Sequence, residues 1–243
     1  MIPINGWLAS KYVNWLWHGF GMTLGLSVLV AIAATACGFV LALARSSGAG
    51  PVRRVAALYV LIFRNSPLIV QLFFWYFGVA TLLPEVVMTW LNTPHPVDLG
   101  VVSFEWPSFE FVAGWFGLTC YTTAFIGEEL RSGLTGVPAG QHHAASALGL
   151  TPFGAFVHVI LPQAVRIATP PLFGQYMNVV KNSSLTMAIG LAELSYSSRQ
   201  VDTETFKTFQ AFGAATVLYI LTIAVLEAGL VLTQRVNART GRR

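Results

Sequence analysis

Residues 20–43 read FGMTLGLSVLVAIAATACGFVLAL and contain no charged side chain. About 20 apolar residues in a helix cross the hydrocarbon core of a membrane, where each charge is costly. The run is too long for the apolar core of a signal peptide, and residues 1–10 lack the basic start of one. We therefore expect residues 20–43 to form an uncleaved membrane-spanning helix.

The composition of the whole chain also indicates a membrane protein. Of 243 residues, 14 are Lys or Arg and 10 are Asp or Glu. This charged fraction of 10% compares with roughly 25% in soluble domains. Hydrophobic residues make up 55% and the mean hydropathy is +0.64. Because so few charges do not cover a water-soluble domain, we exclude an ordinary cytosolic enzyme, a disordered regulator and a disulfide-stapled secreted domain.

The cysteines and the excess of basic residues indicate no separate function. Cys37 and Cys120 both lie in apolar runs, which does not fit a disulfide framework, and we expect neither a metal nor a cofactor. The net charge of +4 comes from basic residues that are scattered or terminal, without the basic-aromatic stripe of a nucleic-acid surface. We therefore expect a lipid environment and no nucleic-acid partner.

Further apolar segments predict an all-α, polytopic fold with about five membrane-spanning helices in a single domain, residues 1–243. The further spans are expected at 55–83, 111–131, 166–192 and 208–232. The sequence Arg64-Asn65-Ser66-Pro67 interrupts the first of these. Residues 132–165 are also uncharged, but their many Gly, Pro, His and Gln residues would leave backbone groups unsatisfied in lipid. We interpret 138–162 as a helical hairpin in water or at the interface.

The basic residues predict the orientation, because cytoplasmic loops are enriched in Lys and Arg. Alternating spans place most of them on one side: Arg45, Arg53, Arg54, Arg131, Arg235, Arg239, Arg242 and Arg243. Fewer fall on the other side, namely Lys11, Arg199 and Lys207. We therefore expect the N-terminus and segment 84–110 outside, and the C-terminus and the hairpin 138–162 in the cytoplasm.

The hairpin 138–162 contains several helix start and stop signals. Pro138 is suited to open a helix, Gly149 to stop it, and Thr151 followed by Pro152 is typical of an N-cap and first turn. The second helix is expected to gather an apolar face, which consists of Phe153, Phe156, Val157, Ile160 and Leu161. The pattern fits a docking surface for a soluble partner, and equally a re-entrant or packing hairpin.

Within the hairpin, residues 141–149 read QHHAASALG and residues 159–164 read VILPQA. Together they resemble the EAA loop, which marks the membrane subunits of ATP-binding-cassette importers. His143 stands where the family usually has Glu, and Val159 where it has Ile. The resemblance implies that this loop couples to an ATPase subunit. It implies the following contact residues: His143, Ala144, Ala145, Gly149, Leu161 and Pro162.

His143 changes the chemistry expected at that contact. A histidine side chain can be neutral near physiological pH, whereas the family's Glu is anionic. A solvent-facing loop residue is the open alternative for this position. A metal site with His142 and His158 has little support, because no acidic or Cys ligand lies near with zinc spacing.

Further segments resemble blocks of the polar amino acid permeases within that family. They are FRNSPLIVQLF at 63–73, AFIGEELR at 124–131 and KNSSL at 181–185. The first and last look closest to permeases for glutamate and aspartate, and the same role for glutamine, arginine or histidine is the alternative. The resemblance implies the type I importer fold of methionine permeases in a bacterial inner membrane. It also implies cytoplasmic ATPase subunits, a second permease subunit and an extracytoplasmic solute-binding protein as partners.

The chain lacks the motif that ATP hydrolysis requires. A phosphate cradle ends in Gly-Lys-Ser/Thr, whereas Lys11, Lys181 and Lys207 follow Ser, Val and Phe. We therefore expect a non-catalytic subunit that depends on a separate ATPase. An ion-coupled secondary transporter is the more remote alternative, and the lack of a detectable inverted repeat disfavours it.

Charged and polar residues in the expected spans are candidates for the substrate path, because such groups are costly in lipid. The guanidinium of Arg64 is suited to a substrate carboxylate. Lys181, with Asn182, Ser183 and Ser184, offers an ammonium, an amide and hydroxyls to an amino acid. A path lined by cations suits an anionic substrate such as glutamate or aspartate.

Glu128 is the acidic candidate in the same path. The open alternatives are two ion pairs, Arg64 with Glu227 and Lys181 with Glu128, which would neutralise the charges within the protein. A helical rise of about 1.5 Å per residue allows similar depths for Arg64 and Glu227.

Overall fold

The computed structural model describes the backbone of residues 7–93, 96–98, 103–105 and 107–240, and the side chains of 7–93 and 107–235. Its helices are α1 (Ser10–Ser46), α2 (Gly50–Asn65), α3 (Leu68–Phe73), α4 (Glu85–Asn92), α5 (Phe109–Thr135), α6 (Ala139–Ala147), α7 (Pro152–Ala155), α8 (Leu161–Ser183), α9 (Leu194–Thr205) and α10 (Thr208–Thr240). The predicted all-α class is confirmed. The exception is a short hairpin of strands β1 (Pro96–Asp98) and β2 (Ser103–Glu105).

Three helical stretches of the described residues are long and apolar enough to cross a membrane: Ser10–Ser46, Pro152–Ile189 and Thr208–Arg235. A bent pair, Gly50–Asn65 with Leu68–Gly78, makes a fourth if it counts as one span. The predicted first span, 20–43, is the middle of α1, whose 37 residues extend about 55 Å at the helical rise. α1 is therefore longer than the hydrocarbon core is thick.

α5 covers the predicted span 111–131 and has 27 residues, which is long enough to cross a bilayer. It is less apolar than α1 or α10, because its middle carries Thr119, Thr122 and Thr123 and its second half carries Glu128 and Glu129. These three threonines are buried within the protein rather than turned to its surface. The fifth membrane crossing therefore stays a prediction.

The predicted span 55–83 is not a straight helix. α2 ends at Asn65, and α3 begins after Pro67 at a bend of 105°. Pro67 has no N–H to donate, and its ring pushes the residue before it out of the helical region. A five-residue π-helical turn, Phe74–Gly78, then follows α3. The expected interruption at Arg64–Pro67 is confirmed, because the bend divides this segment into the separate helices α2 and α3.

The second helix of the hairpin is not separate from the next span, which corrects the predicted boundary between 138–162 and 166–192. α7 passes through a π-helical turn, Phe156–Ile160, into α8, and α8 continues as a 3₁₀ turn, Ser184–Ile189. The π-helical turn lies directly before Pro162, where the missing N–H would otherwise interrupt a regular helix. Helix breakers at this density therefore shape the helix locally without ending it.

The predicted external segment 84–110 contains α4 and the β1–β2 hairpin. The strands pair antiparallel, with Val97 opposite Phe104. Residues 94–95, 99–102 and 106 of this segment lie outside the described residues. The predicted membrane orientation rests in part on Arg239, Arg242 and Arg243, whose side chains also lie outside the described residues.

The chain divides into two compact units, each assembled from separate stretches. The first unit comprises the chain up to Val30, Ser66–Thr119 and Val179–Thr222. One of its apolar clusters contains Leu8, Leu16, Leu194, Val201, Ala211 and Ala215.

The second unit comprises Ala31–Asn65, Cys120–Asn178 and the chain from Ile223 onward. One of its apolar clusters contains Leu41, Ala56 and Val60. Another contains Val137, Ile160 and Ala164 and lies at the base of the hairpin.

Candidate functional site

One glycine, Gly149, permits the turn between the two arms of the hairpin. Gly149 has φ +78°, a conformation that costs a side-chain-bearing residue energy and costs glycine little. Its N–H donates to the carbonyl of Ser146 at 3.0 Å, and the N–H of Leu150 donates to the carbonyl of Ala145 at 3.2 Å. These two bonds are the Schellman motif that closes a helix C-terminus. The predicted helix stop at Gly149 is confirmed.

The second arm of the hairpin begins as predicted. Thr151 is the N-cap of α7, its Oγ1 accepts the N–H of Gly154 at 3.1 Å, and Pro152 occupies the first helical position. Gln163 Nε2 donates to Gln141 Oε1 at 3.2 Å, which links the two arms. The caps and this cross-link together fix the shape of the turn.

A close contact holds the base of the hairpin. A Cβ added to Gly133 near the end of α5 would lie 2.6 Å from the carbonyl oxygen of Ala164 and 2.9 Å from Cβ of Ala168. Only glycine permits this approach of α5 to α8. Next to it, Ile160 and Val137 are buried together. The tip of the hairpin therefore projects from a tightly packed base.

The tip exposes large apolar side chains and has no Asp, Glu, Lys or Arg. Leu148 and Phe153 are 81% and 76% exposed, and the sequence from 132 to 165 has none of these four residue types. Phe153 is predicted to share an apolar face with Ile160, but Phe153 is exposed whereas Ile160 is buried. Of the residues expected to couple, His143, Ala144, Gly149 and Pro162 are exposed, Leu161 is half-buried, and Ala145 is buried.

Glu128 lies between two arginines. Arg45 Nε donates to Oε1 at 2.9 Å, while Arg131 donates to Oε2 from Nε at 3.0 Å and from Nη2 at 2.9 Å. The Glu128 side chain is 13% exposed. Both of its oxygens are therefore occupied, and its negative charge is balanced by the ends of α1 and α5. A role for Glu128 in the substrate path stays a prediction. The bonds to the two arginines explain the position of Glu128 without such a role.

Replacing Arg45 with Met is expected to lower the unfolding temperature of the purified protein by about 3–6 °C. The change removes one charge-assisted bond from a mostly buried carboxylate, worth about 1–2 kcal/mol when Arg131 remains. Arg54→Met is the matched control, because Arg54 is exposed and has no ion pair among the described residues. Scanning fluorimetry in detergent measures both variants. Equal melting temperatures would show that the Arg45 bond contributes nothing.

Arg64 does not pair with Glu227 in the described part of the chain. Its guanidinium carbon lies 4.9 Å from the ring centroid of Phe125, in a cation–π contact. Both Arg64 and Glu227 are exposed on the isolated chain. The open alternative of an Arg64–Glu227 ion pair is therefore not seen among the described residues, and the charge of Arg64 remains accessible for a ligand or a neighbouring subunit.

The segment 181–184 presents fewer groups than its sequence suggests. Ser183 is fully buried and its hydroxyl donates to the carbonyl of Val180 at 2.8 Å. The hydroxyl of Ser184 donates to the carbonyl of Lys181 at 2.7 Å. The Lys181 ammonium is exposed, with no ion pair among the described residues, and Asn182 is half-buried. The ammonium and the amide are therefore the groups that remain for a substrate.

Glu193 directly follows the predicted span 166–192, and no other role is predicted for it from the sequence. The structure shows a polar centre around this residue. Its side chain is fully buried and accepts hydrogen bonds from Thr23 and Tyr219. It also caps α9 by accepting the N–H of Tyr196. Glu is not among the residues preferred at a helix N-cap, so no local sequence signal identified Glu193 as a cap.

No group of three or more metal-ligating side chains lies together in the described part of the chain. His158 Nδ1 lies 3.0 Å from the carbonyl oxygen of Gly154, within its own helix.

Comparisons with known proteins agree with the sequence resemblance. The family described as "Binding-protein-dependent transport system inner membrane component" matches residues 34–240. The glutamate/aspartate import permease protein GltJ of Escherichia coli K12 is 32% identical over 226 residues, covering 93% of this chain and 88% of GltJ. The probable glutamine ABC transporter permease protein GlnM of Bacillus subtilis is 33% identical over 221 residues, covering 91% and 90%.

Solved structures share the fold. A crystal structure of an amino acid ABC transporter with histidines gives a TM-score of 0.77 at 27% identity, covering 93% of this chain and 95% of that one. The inward-facing MetNI methionine ABC transporter gives 0.72 at 18% identity, covering 94% and 99%. The fold is therefore that of a type I importer permease. The chain belongs to the family of binding-protein-dependent transport system inner membrane components, the multi-pass permease subunits of ABC importers, whose ATPase is a partner subunit.

Proposed function

We propose that this chain forms part of the translocation path of an ATP-driven importer of polar amino acids, with glutamate and aspartate as the preferred substrates. Lys181 carries this proposal. It is a cation within a helical stretch apolar enough to span a membrane, it is exposed on the chain surface, and it has no ion pair among the described residues. A cation within a membrane-spanning helix is costly in lipid. Because Lys181 is exposed on the chain surface, it requires water or an anion from outside the chain.

The neighbouring groups suit an amino acid carboxylate. Asn182 adds an amide beside the Lys181 ammonium, and charge-assisted hydrogen bonds from an ammonium are among the stronger ones that a carboxylate can accept. Arg64, an exposed cation of the other compact unit, stays a separate candidate for the path. A cation that faces the path favours an anionic amino acid over a basic one. The 32% identity to a glutamate/aspartate import permease agrees with this preference.

The hairpin tip suits a protein partner rather than water. Its exposed side chains include the large apolar Leu148 and Phe153 beside the uncharged polar Gln141 and Ser146, and Gly133 permits the close packing of its base. We assign it to the cytoplasmic ATPase, with His143, Ala144 and Gly149 in the contact. A second permease subunit and an extracytoplasmic solute-binding protein complete the assembly, with the N-terminus outside and the C-terminus in the cytoplasm.

The test is uptake by vesicles that contain the chain with its partner permease, ATPase and solute-binding protein. Radiolabelled glutamate, aspartate, glutamine, arginine and histidine are offered separately, with ATP inside or omitted. We expect ATP-dependent accumulation of glutamate and aspartate, and several-fold slower uptake of the others.

Two results would contradict the proposal. Preferred uptake of arginine would contradict the anionic preference, because the exposed Lys181 would then repel the substrate. Accumulation that persists without ATP and collapses with an ionophore would instead support the ion-coupled alternative.

A further inference from the structure

Glu193 is a buried carboxylate surrounded by neutral donors. The Tyr219 hydroxyl donates to Oε2 at 2.9 Å, Thr23 Oγ1 donates to Oε2 at 3.3 Å, and the Tyr196 N–H donates to Oε1 at 2.8 Å. Its side chain is fully buried and has no ion pair among the residues whose side chains the structure describes. Burial of a carboxylate is costly even when hydrogen-bonded. Glu193 is therefore expected to do more than stabilise the fold.

The hydrogen bonds of Glu193 fix the first turn of α9 against α1 and α10. Thr23 accepts the N–H of Leu194 at 3.1 Å in addition to donating to the carboxylate. Ser195 Oγ lies 3.1 Å from the Tyr219 hydroxyl, which accepts there because it donates to Glu193. A Cβ on Gly19 would lie 2.9 Å from the Glu193 carbonyl oxygen, so α1 approaches closely. Each neighbour is held by at least one direct contact.

The chain between Glu193 and Lys181 is short and stiff. It consists mainly of the 3₁₀ turn Ser184–Ile189, in which Thr186 Oγ1 donates to the carbonyl of Ser183 at 2.6 Å. The N–H of Leu191 donates to the carbonyl of Thr186 at 3.2 Å. These bonds run along the turn and connect the Glu193 end of the segment to the Lys181 end.

The turn also has little freedom at its sides. α3 packs against it. A Cβ on Gly114 of α5 would lie 3.2 Å from Cγ2 of Thr186, which is itself fully buried. The turn is therefore held at its sides by α3 and α5, and at one end by the Glu193 network.

We infer that Glu193 is a positioning residue for the substrate path. Its carboxylate, held by Thr23 and Tyr219, sets where the turn 184–189 places the Lys181 ammonium and the Asn182 amide. The inference rests on the proposed function, because it assumes that Lys181 contacts the substrate.

The experiment measures equilibrium binding of radiolabelled glutamate to the purified permease–ATPase complex without ATP. Tyr219→Phe removes one donor from Glu193 and preserves the ring. We expect it to weaken glutamate binding about tenfold, to lower the melting temperature by a few degrees because a buried carboxylate loses a donor, and to leave basal ATPase activity unchanged. Glu193→Gln keeps an oxygen for the Tyr196 N–H, so we expect a smaller loss than for Glu193→Leu. Thr222→Val is the control, because the hydroxyl of Thr222 donates to the Leu218 carbonyl of its own helix at 2.9 Å.

A second background separates this inference from the proposed function. If Glu193 acts through Lys181, Tyr219→Phe has no further effect on binding in a Lys181→Met complex. Equal weakening in both backgrounds, or a lower melting temperature with unchanged binding, would overturn the positioning role alone. Normal glutamate binding by Lys181→Met would overturn the proposed path itself.

Discussion

Gly149→Asp is expected to abolish co-purification of the ATPase and to reduce ATP-driven uptake at least tenfold. No atom of the described residues lies within 4 Å of a Cβ at this position, so the new side chain enters open space at the tip. The tip has no charge of its own, and an unpaired carboxylate in an apolar contact costs about 2–5 kcal/mol, or more than a tenfold loss of affinity. Pull-down of the ATPase and vesicle uptake measure the two effects.

Two controls separate the new charge from backbone strain. Gly149→Asn adds similar bulk without charge, and Asn tolerates positive φ, so the difference between the Asn and Asp variants reports the charge alone. Gly48→Asp places the same charge in the link between α1 and α2, where a Cβ also meets open space. We expect Gly48→Asp to behave as the unmodified protein. Normal ATPase binding by Gly149→Asp would mean that the hairpin tip is not the docking surface.

The local structure of the hairpin could be predicted from the sequence because its signals act over a few residues. Gly149 ends a helix through its own backbone freedom, and Thr151 with Pro152 starts the next through the first turn alone. The interruption at Pro67 belongs to the same class. In each case the residues that determine the geometry are neighbours along the chain.

Partners that are distant along the chain could not be predicted in this way. Arg45 and Glu128 are 83 positions apart, and Thr23 and Glu193 are 170 apart. Depth arguments left open whether Lys181 and Arg64 pair with acidic residues, because depth gives the height of a residue and not the direction in which its side chain points. The continuous helix through Pro162 was missed for a related reason, since a π-helical turn is not visible in the hydrophobic pattern.

Lys181→Met is expected to weaken glutamate binding by the permease–ATPase complex about ten- to a hundredfold, and to slow glutamate and aspartate uptake correspondingly. A charge-assisted hydrogen bond to a carboxylate is worth about 1.5–3 kcal/mol, and each 1.4 kcal/mol is tenfold in affinity. Met has similar length and no charge, and Lys181 has no ion pair to lose among the described residues. Assembly and basal ATPase activity are therefore expected to persist.

The choice of controls makes this result specific to a substrate contact. Lys181→Arg keeps the charge and is expected to retain part of the uptake. Lys207→Met removes a lysine just before α10, away from the segment 181–184, and is expected to leave glutamate binding unchanged. If Lys181 instead paired with a second permease subunit, Lys181→Met would lower the yield of assembled complex while the remaining complex bound glutamate normally. A substrate contact instead predicts a normal yield of complex that binds glutamate weakly. Yield and binding measured on one preparation therefore distinguish the two roles.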